Sequence, residues 1–272
     1  MSAPDPGRGA AGSGALLQSP LILACLAAVW VIWGSTYLAI RFALPTFPPF
    51  LQMGTRFLVA GALLALWMRW RGAPWPDRRQ WTNALVLGTV MLGGGYGFTA
   101  VAEQTISSGL VVAFIAIGPA LQALLEWPYG ARPTRTEALG IALGLAGVVW
   151  LASGQGFSAS PAGLLATAFS SFTWKLGSVW AVHGLPRAWG GRRLELCEGA
   201  MGYASQMLAG GAALMLMAAL AGERLGPVSA LAVGAWVYLV VAGSLVAFSA
   251  FMVLLQRTPT AVSSSYAYVN PV

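Results

Sequence analysis

Charge is what this 272-residue sequence has least of: 8% of its residues are Asp, Glu, Lys or Arg, against about 25% in an ordinary soluble domain. Such a chain cannot cover a water-facing surface. With 57% hydrophobic residues and a mean hydropathy of +0.71, its apolar runs are too many and too long for one buried core. The reading is an all-α, polytopic membrane protein, because a helix of about 20 residues crosses the hydrocarbon with its backbone satisfied and an open strand does not. Histidine occurs once, as His183 at a helix end, and both aspartates, Asp5 and Asp77, lie outside the apolar runs. No His/Asp/Glu cluster forms, which argues against a membrane-embedded enzyme. The two cysteines, Cys25 in the first apolar run and Cys197 in an arginine-rich loop, offer neither a disulfide framework nor metal spacing. No cofactor motif is present. The glycines of "GGGYGF" sit inside an apolar helix with no "GK[ST]", so they read as close helix packing rather than a phosphate loop, as do Gly140 and Gly144. Without an ATP motif, any transport draws on gradients. A channel needs rings of polar residues that one chain does not display.

What charge there is carries information. The net charge is +7 and the pI about 10. In a soluble protein this balance points to nucleic acid. Here the arginines lie between apolar runs and no aromatic-basic patch accompanies them, so they report topology. Spans are predicted near 21–43, 49–70, 82–102, 108–128, 136–153, 162–183, 200–221 and 231–255, with a ninth beginning near 260. The tail, residues 1–19, is rich in Gly, Ala, Ser and Pro and reads as disordered. Arg69, Arg71, Arg78 and Arg79 follow span 2, Arg132 and Arg135 follow span 4, Arg187, Arg192 and Arg193 follow span 6, and Arg257 follows span 8. The other loops hold almost none, Arg224 being the exception. The alternation places the N-terminus in the cytoplasm.

A repeat runs through the apolar region. Setting Pro119 on Pro271, roughly 152 residues on, aligns Gln104 with Gln256, Tyr96 with Phe248, and Leu110 with Val262 without a gap. One copy starts at span 1 and the other at span 6, so each has five spans and the second is inverted. The units are 20–154 and 155–272. By this arithmetic "SSSYAYVNPV" is the first part of span 9, and the natural reading frame is expected to continue for about 30 residues. Inverted repeats are a common transporter architecture, with the site near the midplane between the halves.

"IWGSTYLAIRFAL", "PPFLQMGTRFLVAGALL", "VAEQTISSGLVVAF", "GIALGLAGVVWLASG" and "SSSYAYVNPV", in that order, resemble the EamA-type drug/metabolite transporters, and among them the YedA-like bacterial inner-membrane exporters. The resemblance covers residues 21–272. It implies ten helices in two inverted five-helix units, a central cavity, and efflux of small metabolites or drugs. The implied partners are a small-molecule substrate and the lipid bilayer, with a homodimer left open and no nucleic acid. Lys175 stands where a small residue is usual, and Glu126 where a neutral one is.

The candidate site residues follow from position and chemistry. Trp30, Trp33 and Tyr37 share one helical face, either as packing or as a cavity wall, with Thr36 among the small residues beside them. Trp174 and Ser178 echo them in the second half, and Tyr96 lies on a repeat-related helix. Ser263, Tyr266 and Asn270 share another face, for interhelical hydrogen bonds or for substrate. Arg56, about 10 Å into span 2, and Lys175 are intramembrane charges, which are costly enough to make a functional role the default. Substrate binding is assigned to Trp33, Thr36, Tyr37, Arg56, Tyr96, Trp174, Lys175, Ser178, Tyr266 and Asn270. Proton coupling needs a carboxylate near the membrane, and Glu103 is the candidate, with a solvated loop residue as the alternative and Arg56 as its neighbour. Pro119 and Pro271 are helix-kink candidates. The aromatic, weakly charged cavity suits amphipathic or zwitterionic metabolites.

Overall fold

The computed structural model describes residues 19–153 and 160–270. The N-terminal tail, most of the "GQGFSASP" loop and the kink candidate Pro271 lie outside the described residues. Among these there is no strand. The helices are α1 (Pro20–Ala43), α2 (Pro49–Trp70), α3 (Arg78–Ala102), α4 (Ser108–Tyr129), α5 (Arg135–Ser153), α6 (Pro161–His183), α7 (Ala200–Leu220) and α8 (Ala230–Arg257). Two short helices follow, α9 (Thr260–Ser263) and α10 (Tyr266–Val269).

Each start has a local cause. Proline occupies the first position of α1, α2 and α6, where its missing N–H costs nothing. Asp77 and Gln80 form a reciprocal capping box at α3, with bonds of 2.7 and 2.9 Å. Ser107, Ser160 and Ser229 cap α4, α6 and α8. The α2 start is capped from elsewhere in the chain: the Glu223 carboxylate accepts from the backbone N–H of Phe50 and Leu51 at 3.2 and 2.7 Å, adding negative charge at the positive end of the helix.

Six of these helices, α1 to α4, α7 and α8, are long and apolar enough to cross a membrane. The nine-span expectation is therefore met in part. Helix α6 has 23 residues but buries Thr167, Ser170, Thr173, Lys175 and Ser178 inside the bundle, which lowers its mean hydropathy. Residues 260–270 form only short turns of helix. The outside of the bundle is apolar, with Val31, Leu66, Leu165, Leu216 and Leu220 exposed, while Gln52, Arg56, Asn83, Gln122, Lys175 and Gln206 are buried. This polarity distribution belongs in a hydrocarbon solvent.

The loops sort to two ends. At one end Gly226 N–H donates to the Thr46 carbonyl and Thr46 Oγ1 to that of Pro227, and Ser160 Oγ donates to Thr105. At the other, Asn83 donates to the Glu195 carbonyl, Cys197 Sγ approaches the Pro74 carbonyl, and Tyr129 OH donates to Gly184 O. The arginines after α2, α4 and α6 gather at this second end. There Arg69, Arg71 and Arg132 lie over Trp75, Trp67 and Trp127, the composition of a membrane-water boundary.

The tightest packing joins α2, α3 and α7, and glycine permits it. A Cβ at Gly88 would meet the backbone N of Gly210 at 2.7 Å, and one at Gly54 the Met215 sulfur at 2.7 Å. In "GGGYGF" a Cβ on Gly94 would sit 2.7 Å from the Thr173 side chain, so these glycines do serve helix packing. Gly140 does not: nothing lies within 4 Å of its Cβ direction, because that face of α5 carries no neighbouring helix among the described residues.

Helices α3 and α8 each change winding, with π-helical stretches at Thr89–Gly97 and Leu239–Phe248. Both stand at places related by the sequence repeat. Helix α4 is interrupted at Ala116 and Ile117, one turn ahead of Pro119, whose ring excludes the carbonyl of residue 115 from ordinary helical bonding.

Candidate functional site

The aromatic residues of α1, α3, α6, α8 and α10 converge on one point. Trp33 lies at the centre. Its ring centroid is 4.9 Å from Phe251 and from Tyr266, 5.6 Å from Trp174 and 6.3 Å from Tyr96. Most of these pairs meet edge to face, the arrangement ring quadrupoles favour. The Trp174 indole N–H donates to Tyr266 OH at 2.8 Å. The π stretch of α3 brings Gly95 against Trp174, where a Cβ would come within 3.2 Å of the indole.

Beside this cluster is a cavity of about 40 Å³ lined by Trp33, Thr36, Tyr37, Tyr96, Trp174, Lys175 and Tyr266, together with Thr99, Ser170 and Ser171. Seven of the ten predicted binding residues thus share one wall. The volume suits a water or two and is too small for a metabolite.

The other three sit apart. Arg56 is fully buried one layer behind Tyr96, its guanidinium 5.1 Å from that ring and 5.0 Å from Phe57, with Nε donating to Ser244 Oγ at 2.7 Å. Ser178 donates to the Trp174 carbonyl. Asn270, with its amide nitrogen turned toward α1, donates to the carbonyls of Trp30 and Tyr266 at 3.1 and 3.2 Å, tying the C-terminal segment to α1.

Polar contacts flank the cavity on two sides. On the Glu103 side, Arg41 Nη1 donates to the carbonyl oxygens of Ile106 and Glu103 at 2.8 and 3.3 Å. Glu103 is 2% exposed and neither carboxylate oxygen has a hydrogen-bond partner among the described residues. The solvated-loop alternative is thereby removed, and the guanidinium beside it is that of Arg41, not Arg56. On the other side, Lys175 Nζ donates to Gln122 Oε1 and Ser264 Oγ at 3.2 Å each and lies 5.2 Å over the Tyr266 ring. Gln122 Nε2 donates to Glu126 Oε1 at 3.2 Å, and His183 Nε2 lies 3.7 Å from the same oxygen. Lys175 and Glu126, which look unrelated in the sequence, are joined through one glutamine.

Several of these residues escaped the sequence reading. Gln122 stands at i, i+4 from Glu126, a spacing that was available. Ser264 was displaced by Ser263 because a continuous helix was assumed. The break at residues 264–265 turns Ser264 and Tyr266 to the same ammonium. Phe251 and Ser244 carry no signal in a mostly apolar helix.

Comparison with known proteins gives this architecture a family. Residues 18–153 match the EamA-like transporter family. Over 256 residues the chain is 37% identical to the "Uncharacterized inner membrane transporter YedA" of Escherichia coli (strain K12), covering 92% of this chain and 79% of that one. This chain belongs to the EamA-like transporter family. A second member-like relative, the "Uncharacterized transporter YvbV" of Bacillus subtilis (strain 168), is 29% identical over 165 residues, 60% of this chain and 53% of its own length. A solved structure titled "Crystal structure of protein" superposes with a TM-score of 0.68 at 22% identity, covering 91% of this chain and 83% of that chain; it shares the EamA-like chain's fold. Among the described residues no group of His, Cys, Asp and Glu is placed to hold a metal ion.

Proposed function

We propose that this EamA-like protein is a secondary transporter of a bacterial inner membrane that exports small metabolites or drugs by alternating access, with the aromatic cavity as its substrate site. The observation that carries the reading is the cavity itself: a polar-aromatic pocket inside an otherwise apolar helical bundle, built from α1, α3, α4, α6 and α10 and flanked on two sides by polar contacts. Closure by hydrogen bonds rather than by a continuous apolar core lets either end open at a cost of a few bonds, each about 0.5–1.5 kcal/mol. Loading requires the helices to part, since the closed cavity is too small for substrate. The π stretch of α3 and the break in α4 supply irregular backbone along the cavity, where helices can change winding without crossing lipid.

The two units related by the sequence repeat are read as inverted five-helix units. The recurrence of the π stretch and the sorting of loops to two ends support this. The arginine-rich end faces the cytoplasm, in keeping with the positive-inside rule, and Glu103 lies toward the opposite side as the proton-coupling carboxylate. The names of the relatives favour a transporter over an enzyme.

The test is a substrate panel in proteoliposomes, with and without a proton gradient. Gradient-dependent accumulation of one class establishes the reading; catalytic turnover of a compound without its movement refutes it. Orientation is checked by cysteines placed at Arg78 and Arg224 in a background lacking Cys25 and Cys197. Arg224→Cys is expected to react with an impermeant reagent from outside and Arg78→Cys to be protected.

A further inference from the structure

The cations around the cavity constrain what it holds. Lys175 is 1% exposed, and its ammonium meets only neutral oxygens, those of Gln122, Ser264 and Tyr266. Arg56 is fully buried, and its Nη2 has no hydrogen-bond partner. Among the described residues neither cation has a carboxylate within 4 Å; the Glu126 carboxylate acts on Lys175 from beyond that distance and shares Gln122 with it. No acidic residue lines the cavity.

A second observation is independent of these charges. The Trp33 indole N–H, on a residue 3% exposed, is buried without an acceptor, and so is the Ser171 hydroxyl. Both residues line the cavity with Lys175. A buried donor without a partner costs about 1–3 kcal/mol, so the wall as built presents donors that await an acceptor.

We propose, resting on the transporter reading above, that the cavity takes an organic monoanion: a carboxylate received by Lys175 Nζ and the Trp33 N–H, on an aromatic body held among Trp33, Tyr96 and Trp174. A cation is disfavoured because the protein's own cations already occupy the ring faces a ligand cation would use. Arg56 lies over Tyr96 and Lys175 over Tyr266. A zwitterion finds no carboxylate in the wall for its ammonium. This narrows the amphipathic or zwitterionic class expected from composition. A carboxylate entering the site exchanges neutral oxygens around Lys175 for a charge-assisted bond, the stronger kind.

Four probes of one size decide it: 3-phenylpropionate, its neutral amide, phenylalanine and 3-phenylpropylamine. Binding to the purified protein is followed by quenching of tryptophan fluorescence and by calorimetry. The anion is expected to bind at least tenfold tighter than each of the others. Lys175→Gln is expected to abolish that preference and Lys175→Arg to keep most of it. If Lys175→Gln fails to fold, Trp33→Phe removes the N–H while keeping a ring, and is expected to weaken the anion several-fold and the amide by a smaller factor. Equal or tighter binding of the amide, amine or zwitterion overturns the proposal, as does the absence of binding by all four. Transport of these probes is measured alongside in proteoliposomes. Movement of the amine or amide in preference to the anion overturns the charge assignment and leaves the transporter reading standing.

Discussion

The two ends of the cavity hold ionisable groups of equal burial and opposite design. At one end Glu103 is buried with both carboxylate oxygens unpartnered, and the nearby Arg41 gives its hydrogen bonds to backbone carbonyls instead. At the other, Lys175 is held by Gln122, Ser264 and Tyr266, and the chain of contacts continues through Glu126 to His183. A buried charge without partners is costly enough that neutralisation competes with it, which is the property a proton-coupling carboxylate needs. A buried charge with several oriented partners keeps its place and serves as an anchor. On the proposed function, ion exchange would belong to the Glu103 end and ligand binding to the Lys175 end.

The largest effect that breaks this division is expected at Lys175. Replacing it with alanine removes the one cation that lines the cavity among the described residues, and probe binding is expected to fall about 10- to 100-fold, the loss of one charged hydrogen bond of about 1.5–3 kcal/mol. Calorimetry on the purified protein measures it. Binding within twofold of the parent shows that the Lys175 end is structural.

Glu103→Gln is expected to act on a different quantity. It keeps the shape and removes the charge, so the pH dependence of transport is expected to flatten while affinity changes little. Transport with an unaltered pH profile shows that coupling lies elsewhere. If the parent shows no pH dependence, uniport is favoured.

Gln122→Leu cuts the connection between Lys175 and Glu126 without touching either. The expected cost is about 1–3 kcal/mol of stability, from buried groups left without their amide partner, with a smaller loss of anion binding than in Lys175→Ala. The smallest effect on binding is expected at Phe251→Leu. It removes ring contacts with Trp33, Trp174 and Tyr266 and is expected to lower the melting temperature while leaving the charge preference unchanged.

Much of this molecule was open to reading along the chain. Span positions depend on runs of apolar residues, and orientation on where arginines interrupt them. Both are one-dimensional, so Arg78 and Arg192 could be placed on one side without a structure. The stripe of Trp33 and Tyr37 followed from helical spacing, and their convergence with Tyr96, Trp174 and Tyr266 was approached through the repeat. The differences have a common form. Ser178 and Asn270 share helices with cavity residues and bond to backbone carbonyls, and a helical-face argument does not show which contacts a polar side chain makes. Ser263 was preferred to Ser264 because the period of 3.6 was carried across a break.

The sequence by itself determined that the chain is helical and belongs in a membrane, because composition decides which solvent a surface tolerates and backbone satisfaction in lipid leaves the helix. It also located the six helices long and apolar enough to cross a membrane and the loops that carry most of the positive charge. Only the tertiary structure decided that Glu103 is buried rather than solvated, that Arg41 is the guanidinium beside it, and that Lys175 meets Gln122 and Ser264. Burial and partnership are properties of the space between helices. That space is set by side chains far apart in the chain, such as Gly88 against Gly210, and no local pattern encodes it.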